Sequence, residues 1–338
     1  MAKMKAALYM KNQQLALTEV DIPEVGFEKV KLRIKYCALC ATDFHVLFHD
    51  LFNRPAGFGL GHELSGIIEE LGPGAARYGL QVGDKVVAFP LIFCGRCAFC
   101  KRGQTQYCID KQAARFPGFA EYAVCDVSQV YKIPHDADLK SYALVEPMTC
   151  AMRCIDNADI EIGKTVAISG VGGIGLIMLN LILLRGGAQV TAIDPVPVKR
   201  ETALQMGAAQ VIDPTTEDVA ARAMELTDGR GFDVVIEASG AAAAVPACLK
   251  MLAHCGTVAY FGVYPMDYEL PVNLFDLYNK EGRIVTAFVN KDIVPRAIQL
   301  VPRMSMDLLI GKVMPLDEIE QAFAEFKKSI YPKIVITC

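Results

Sequence analysis

The chain contains no long run of basic residues, and only 21% of its 338 residues are charged, for a net charge of −4. Proteins that bind nucleic acid usually present a basic patch, so this composition argues against a nucleic-acid partner. The N-terminal residues contain neither a continuous apolar segment nor a cleavage-site pattern, so we expect no signal peptide. The one strongly apolar stretch, Thr165 to Leu184, is interrupted by four glycines. This pattern favours a strand, a turn and a buried helix over a membrane span.

Cysteine, in contrast, is abundant, with twelve residues, four of which fall in one short segment. In a chain without a secretory signal, such cysteines indicate metal or thiol chemistry rather than disulfide bonds, so we expect a reducing, cytoplasmic location. At roughly 100 to 200 residues per domain, the length predicts two domains. A chain of this size can bury a large core without disulfide bonds.

The pattern of apolar residues changes near Cys150. Before it, segments such as Val30 to Tyr36 alternate apolar and charged residues, which is typical of half-buried strands. After it, short apolar segments alternate with helical stretches, which predicts an α/β fold with a parallel, doubly wound sheet. The strands predicted for this sheet are residues 165–169, 190–194, 211–213, 233–237 and 257–261. An amphipathic helix is predicted from Leu316 to Lys328, and a final strand from Lys333 to Ile336.

The clustered cysteines, Cys94, Cys97, Cys100 and Cys108, have the spacing C-x2-C-x2-C-x7-C. Four thiolates within one loop can surround a tetrahedral zinc ion and leave no open position, so the spacing predicts a structural zinc site. An iron–sulfur cluster is a rival interpretation, because C-x2-C-x2-C also suits such clusters. Free or disulfide-bonded thiols are a second rival.

A second metal site is predicted from three separated pieces of the chain. These pieces offer one thiolate, one imidazole and two carboxylates: Cys40, His62, Glu63 and Glu146. A thiolate, an imidazole and a carboxylate, with water in the fourth position, form a zinc site that polarises an alcohol oxygen. Cys37 competes with Cys40 as the thiolate. We favour Cys40 because it begins a short polar run, whereas Cys37 sits at the end of the preceding strand.

A glycine turn follows the predicted strand 165–169. It reads Gly170-Val171-Gly172-Gly173-Ile174-Gly175, the pattern G-x-G-x-x-G between a strand and a helix. Such glycines let the backbone approach a pyrophosphate at the helix N-terminus. Asp194 closes the next strand, where a carboxylate accepts hydrogen bonds from both ribose hydroxyls and repels a 2′-phosphate, so we expect NAD rather than NADP. Lys199 lies close enough in sequence to contact the ribose or, in a rival interpretation, a phosphate.

Taken in order, these motifs resemble the zinc-containing medium-chain dehydrogenases, and most closely their sorbitol (polyol) and threonine dehydrogenase branch. The resemblance covers essentially the whole chain and includes Val82-Gly-Asp-Lys-Val86 and Gly231-Phe-Asp-Val-Val-Ile-Glu237. It implies a GroES-like, β-rich catalytic domain formed by residues 1–150 and 290–338. A Rossmann NAD-binding domain, residues 151–289, would interrupt it.

The resemblance also implies roles for individual residues. Cys40 and His62 resemble ligands of a catalytic zinc, and either Glu63 or Glu146 would supply the remaining ligand. These residues are thereby implied to be catalytic as well as metal-binding.

The same resemblance implies a path for the substrate proton. Thr42 resembles the hydroxyl that relays this proton, and His45 stands where a second relay histidine passes it to solvent. Asp43 resembles a support for His62 that fixes the tautomer of its ring.

Together, the motifs and the resemblance predict a zinc-dependent oxidoreductase with two zinc ions per chain. It would transfer a hydride between NAD and a secondary alcohol, namely a polyol, a cyclitol or a sugar derivative. An amino-alcohol dehydrogenase similar to L-threonine 3-dehydrogenase is the alternative, and a non-catalytic nucleotide-binding member is a further one. The resemblance implies a homodimer or a homotetramer, and residues 258–263 are the candidate edge strand for such pairing.

Overall fold

The computed structural model describes residues 2–113, 117–186, 189–289 and 291–338. Two sheets of seven and six strands dominate it, beside two smaller ones, and ten strands precede the six-stranded sheet in the chain. These strands are β1 (Lys3–Tyr9), β2 (Leu15–Asp21), β3 (Lys29–Ala38), β4 (Phe58–Gly59), β5 (Glu63–Leu71), β6 (Lys85–Ala88), β7 (Leu91–Ile92), β8 (Gln112–Ala113), β9 (Tyr122–Asp126) and β10 (Val130–Lys132).

The six-stranded sheet is parallel, and two more strands close the chain after it. The parallel strands are β11 (Thr165–Ser169), β12 (Gln189–Ile193), β13 (Gln210–Ile212), β14 (Phe232–Glu237), β15 (Leu252–Tyr260) and β16 (Arg283–Thr286). The closing strands are β17 (Ile310–Pro315) and β18 (Lys333–Thr337).

Helices connect these strands, most of them short. They are α1 (Ala41–His49), α2 (Ala98–Lys101), α3 (Leu139–Tyr142), α4 (Val145–Ala158), α5 (Gly173–Leu184), α6 (Pro197–Met206), α7 (Val219–Leu226), α8 (Val245–Lys250), α9 (Leu274–Asn279), α10 (Val294–Leu300), α11 (Met306–Leu309) and α12 (Ile319–Lys327). Within the described ranges, no helix is long and apolar enough to cross a lipid bilayer.

The parallel sheet has the strand order β13-β12-β11-β14-β15-β16, which confirms the predicted doubly wound α/β arrangement. Strands β11 to β15 correspond to the five predicted ones, although β12, β13 and β15 each end one residue earlier than predicted. The prediction missed β16, whose residues are mostly exposed and do not alternate. The expectation that residues 258–263 form an edge strand was wrong, because β15 lies between β14 and β16. The edge on that side of the sheet is β16.

The larger N-terminal sheet has the order β10-β6-β5-β3-β18-β17, with β9 also pairing with β3. Strand β18 therefore returns from the end of the chain to lie beside β3, with Val335 opposite Ala38. On the other side of β3, Ala38 lies opposite Glu63. This register brings the end of β3 and the starts of β5 and β18 to one place.

Candidate active site

Cys40 is held at the N-terminus of α1, two residues after β3 ends. It is the N-cap residue, and its Sγ accepts a hydrogen bond from the backbone N–H of Thr42 at 3.5 Å. The Cys40 N–H donates in turn to Asp43 Oδ2 at 3.2 Å. A helix N-terminus favours negative charge, so this position suits a side chain that binds a metal as its thiolate. Cys37 is fully buried, which raises the pKa of its thiol well above the ordinary value, and the geometry favours Cys40 as the metal ligand.

His62 is oriented by Asp43, as the family resemblance implied. Its Nδ1 lies 3.2 Å from Asp43 Oδ1, an oxygen that also accepts the Gly61 N–H at 2.9 Å. Burial lowers the pKa of His62, but Asp43 and Cys40 outweigh this effect and hold the pKa well above its ordinary value. The pairing through Nδ1 leaves Nε2 to bind a metal. Gly61 is required before His62 because a Cβ there would lie 2.7 Å from the Phe119 backbone nitrogen, at a φ of 90°.

Glu63 completes a group of three possible metal ligands. One ligand atom each from Cys40, His62 and Glu63 lies within 4.8 Å of the others. The Glu63 carboxylate is fully buried, and Lys333 Nζ donates to both of its oxygens at 2.6 Å. Lys333 Nζ also lies 3.2 Å from the Leu39 carbonyl oxygen. Burial lowers the pKa of Lys333, but Glu63 and Cys40 outweigh it and raise that pKa. Burial also raises the pKa of Glu63, although Lys333 opposes that rise. The 2.6 Å contact between Lys333 Nζ and the Glu63 carboxylate has the geometry of an ion pair. Sequence reasoning missed Lys333.

Glu146, the other candidate carboxylate, lies in the first turn of α4 and outside this group of three. Its Oε1 is 4.0 Å from Cys150 Sγ. Burial raises the pKa of Glu146 to about 7, although the nearby His62 opposes that rise. A carboxyl group with this pKa changes its charge near neutral pH.

A cavity of about 530 Å³ opens beside the three ligands, and Thr42, His62 and Glu146 line it. His45 is not among the described lining residues. It lies on the exposed side of α1, and its ring centroid is 5.4 Å from that of His49. Two lining residues that sequence reasoning also missed are cationic, Arg54 and Lys111.

The four clustered cysteines converge in a separate loop. One Sγ atom from each of Cys94, Cys97, Cys100 and Cys108 lies within 4.8 Å of the others. Backbone N–H groups point at these sulfurs, including that of Cys94 toward Cys108 Sγ at 3.3 Å. Such donors, of which the backbone N–H of Cys100 has the largest effect, lower the pKa of Cys97 to about 6. Burial raises the pKa of the Cys100 thiol to about 12. Four convergent sulfurs suit a tetrahedral zinc ion with closed coordination, which would bind them as thiolates.

The glycine turn has the geometry that the sequence predicted. Gly170 has a φ of 90°, and a Cβ on Gly175 would lie 2.0 Å from the Gly170 carbonyl oxygen. Gly172 is the N-cap of α5, so the helix N-terminus opens at the turn. A side chain on Gly170 or Gly175 would therefore collide with neighbouring backbone. The remaining predicted residues, Gly173 and Ile174, form the first turn of that helix.

Asp194 and Lys199 lie beside this turn. Asp194 is buried, and its carboxylate accepts the N–H of Val171 at 3.0 Å and that of Val196 at 2.9 Å. Lys199 Nζ donates to Ser329 Oγ at 2.7 Å and lies 4.0 Å from the position of a Cβ on Gly172. The Asp194 carboxylate therefore stabilises the glycine turn through its hydrogen bond from Val171.

Comparison with known families matches both parts of the chain. The model of the alcohol dehydrogenase GroES-like domain matches residues 26–135, and that of the zinc-binding dehydrogenases matches residues 173–303. The chain belongs to the zinc-binding alcohol dehydrogenase family. It is therefore a dehydrogenase that acts on CH–OH groups, with a GroES-like domain and a Rossmann-type parallel sheet, as the sequence predicted.

Relatives within the family differ in substrate. L-threonine 3-dehydrogenase of Pyrococcus horikoshii is 34% identical over 94% of both chains. The erythritol/L-threitol dehydrogenase of Mycolicibacterium smegmatis is 30% identical over 98% of both. Among solved structures, a protein described as a zinc-binding dehydrogenase of Clostridium scindens superposes with a TM-score of 0.94 at 36% identity, covering 100% of this chain and 99% of the other. One from Sinorhizobium meliloti, bound to NADP, has a TM-score of 0.94 at 31% identity and covers 100% of both.

Proposed function

We propose that the chain is a zinc-dependent enzyme that transfers a hydride between NAD and a secondary alcohol of the polyol, cyclitol or sugar class. The observation that carries this proposal is the convergence of Cys40, His62 and Glu63 at the edge of a cavity lined by Thr42. The polyol-oxidising relative supports the substrate class. An amino alcohol such as L-threonine is the second candidate, supported by the relatives that are threonine dehydrogenases.

Cys40, His62 and Glu63 would hold the catalytic zinc in this proposal. A thiolate, an imidazole and a carboxylate are the donor set of an open zinc site, and one coordination position stays free. The zinc would act as a Lewis acid that polarises an alcohol oxygen and lowers the pKa of the alcohol. We assign Glu63 rather than Glu146 because only Glu63 lies in the group of three. Glu146 would instead face the substrate from the cavity wall.

Side chains around the cavity would manage the substrate proton. Thr42 lines the cavity, and we propose that its hydroxyl accepts this proton. His45 is exposed on the same helix and is our proposed exit for the proton to solvent. Asp43 would hold the His62 ring in place throughout, through the 3.2 Å contact with Nδ1.

The test is the zinc content of the purified protein, measured together with NAD-dependent oxidation of a panel of polyols, cyclitols and amino alcohols. We expect two zinc ions per chain and turnover within one of these groups. One zinc ion and no turnover would contradict the proposal and favour a non-catalytic nucleotide-binding member. Preferential oxidation of threonine would select the second candidate.

The loop of four cysteines would hold the second, structural zinc. We predict that Cys97→Ser removes this zinc alone and lowers the thermal midpoint of unfolding, because the metal's binding energy contributes to folding. Metal analysis should give one zinc per chain, and the residual zinc should support turnover. Iron and acid-labile sulfide in the wild-type protein would instead indicate an iron–sulfur cluster.

Asp194 would select NAD by binding the adenosine ribose. We predict that Asp194→Asn weakens the preference for NAD over NADP by roughly 10- to 100-fold, because it removes a charged acceptor and the repulsion of a 2′-phosphate. Asparagine keeps an oxygen for the Val171 N–H, so the glycine turn should persist. Steady-state kinetics with both cofactors measures the change. Equal use of NAD and NADP by the wild-type protein would refute this selectivity.

We propose that the protein assembles as a homodimer or homotetramer through the β16 edge. Within the described part of the chain, β16 has a strand neighbour on one side only. Ile284 on β16 is exposed, as are Leu274, Phe275 and Tyr278 on α9. An exposed apolar surface of this kind is typical of a subunit interface. Light scattering coupled to size-exclusion chromatography gives the mass that tests this.

We also propose the domain boundaries and the cellular location of the protein. We divide the chain into a catalytic domain, residues 1–150 and 290–338, and a nucleotide-binding domain, residues 151–289; residue 290 itself lies outside the described residues. We also propose a reducing, cytoplasmic location, which the twelve free thiols support.

A further inference from the structure

Arg54 lines the cavity of the proposed active site with its charge unpaired. Its guanidinium carbon lies 5.2 Å from the ring centroid of Phe52 and 4.8 Å from that of Phe58. Its Nε is buried and has no hydrogen-bond partner among the described residues. No carboxylate in the described ranges forms an ion pair with Arg54. A buried donor without a partner is costly, so the position is suited to an acceptor that arrives with a ligand.

A second cation, Lys111, lines the same cavity. Its Nζ donates to the Gln106 carbonyl oxygen at 3.0 Å and lies 5.2 Å from the centroid of the Phe288 ring. An ammonium group has three donors, so this contact leaves donors available for a ligand. Like Arg54, it is placed over an aromatic ring rather than beside a carboxylate.

The loop before Arg54 is held in an unfavourable backbone conformation. Asp50, Phe52 and Asn53 have φ values of 50°, 67° and 45°, in the left-handed region that a bulky residue such as Phe52 rarely adopts. Lys11 Nζ fixes the loop by donating to Asp50 Oδ2 at 3.0 Å and to Asn53 Oδ1 at 2.8 Å. Strained backbone that the surrounding structure enforces is often found where a side chain must be placed for binding. Here that side chain is Arg54.

The acidic lining residues do not neutralise these cations. Asp43 is occupied by the N–H groups of Gly61 and Cys40 and by the His62 ring. Glu146 belongs to the proposed metal end of the cavity, and no ion pair joins it to Arg54 or Lys111 in the described part of the chain. The cavity therefore combines Thr42 and His62, which suit an alcohol, with two cations that suit an anion.

We propose that the substrate is an anionic polyhydroxy alcohol, whose terminal carboxylate or phosphate is bound by Arg54 and Lys111. This inference rests on the proposed function, since it names the substrate class for the same site. The planar guanidinium binds a carboxylate or a phosphate through two parallel hydrogen bonds, and the lysine adds a point charge. A neutral polyol would leave the buried Arg54 Nε without a charged acceptor. L-Threonine carries a carboxylate, but its ammonium group on the same carbon would be brought toward the two cations together with it.

The test compares pentitols and hexitols with the aldonates and terminal phosphate esters of the same stereochemistry, and with L-threonine, as substrates with NAD. We expect kcat/KM to favour one anionic series over the neutral polyols by roughly 10- to 100-fold. The better series shows whether the anion is a carboxylate or a phosphate. Arg54→Gln should reduce this preference mainly through KM, and Arg54→Lys should retain part of it. Arg230→Gln, on the surface of the nucleotide-binding domain, is the matched control and should change nothing.

Failure of this inference can be told apart from failure of the proposed function. Neutral polyols or threonine oxidised as well as every anionic compound would overturn the inference and leave the dehydrogenase proposal standing. No turnover on any alcohol would overturn the proposed function. In that case, calorimetric titration with gluconate and with sorbitol still decides the anion site. If the wild-type protein binds gluconate more tightly than sorbitol and Arg54→Gln loses this difference, the anion site is supported. If the wild-type protein and Arg54→Gln bind gluconate equally, the anion site is overturned.

Discussion

Replacing Cys40 by serine should lower kcat/KM for alcohol oxidation by roughly 1,000-fold or more, because a Lewis acid that supplies several kcal/mol of transition-state stabilisation is lost. The fold should survive. Cys40 is the N-cap of α1 and accepts the Thr42 N–H through its side chain, and serine is among the best residues for that role. The substitution therefore separates metal binding from helix capping.

Metal analysis and circular dichroism check this prediction alongside the kinetics. Cys40→Ser should contain about one zinc per chain, held by the four-cysteine loop, with an unchanged far-ultraviolet spectrum. Cys255→Ser is the matched control, because Cys255 is exposed and lies outside both groups of ligands. It should keep the wild-type zinc content and rate. An unchanged rate in Cys40→Ser would refute the assignment of Cys40 as a catalytic ligand.

The parts of the molecule that the sequence predicted are those set by local pattern. The glycine turn, the strands β11 to β15 and the cysteine loop each depend on residues that are close in sequence. The pairing of Asp43 with His62 was predicted as well, although only through the resemblance to a family. Strand β16 was missed because its four residues show neither burial nor alternation, and the edge of the sheet was misplaced as a result.

The features that the sequence did not predict depend on long-range packing. Lys333 is 270 residues from Glu63, and only the return of β18 to the side of β3 brings the two together. The ligand-binding role proposed for Arg54 could be inferred only from the cavity that it lines, because an arginine in a loop is ordinarily a solvated surface residue. Our proposed assignment of Glu63 rather than Glu146 also depends on the structure, because both glutamates occur in motifs that suit a metal.

The Lys333–Glu63 pair should contribute strongly to the stability of the folded protein. Lys333→Met should lower the free energy of unfolding by about 3–5 kcal/mol, because it leaves the buried Glu63 carboxylate without its ionic partner. Both side chains are buried, and both carboxylate oxygens accept from the same Nζ at 2.6 Å. A zinc ion bound to Glu63 would offset part of the lost charge, so the destabilisation should grow when a chelator removes the metal.

Urea unfolding of matched variants, with and without chelator, measures this effect. Lys333→Arg keeps the charge and should lose less stability than Lys333→Met. The double variant Lys333→Met, Glu63→Gln should be more stable than the sum of the two single losses implies, because neither partner is then left as an unpaired buried charge. Strictly additive losses in the double variant would show that the pair is not buried as described. The same would follow if Lys333→Met lost less than about 1 kcal/mol, because an exposed ion pair contributes no more than that. Because Glu63 is also a proposed zinc ligand, the same samples should show lower zinc content in every variant that lacks it. The pair thus connects the last strand of the chain both to the stability of the catalytic domain and to the metal that the domain would hold.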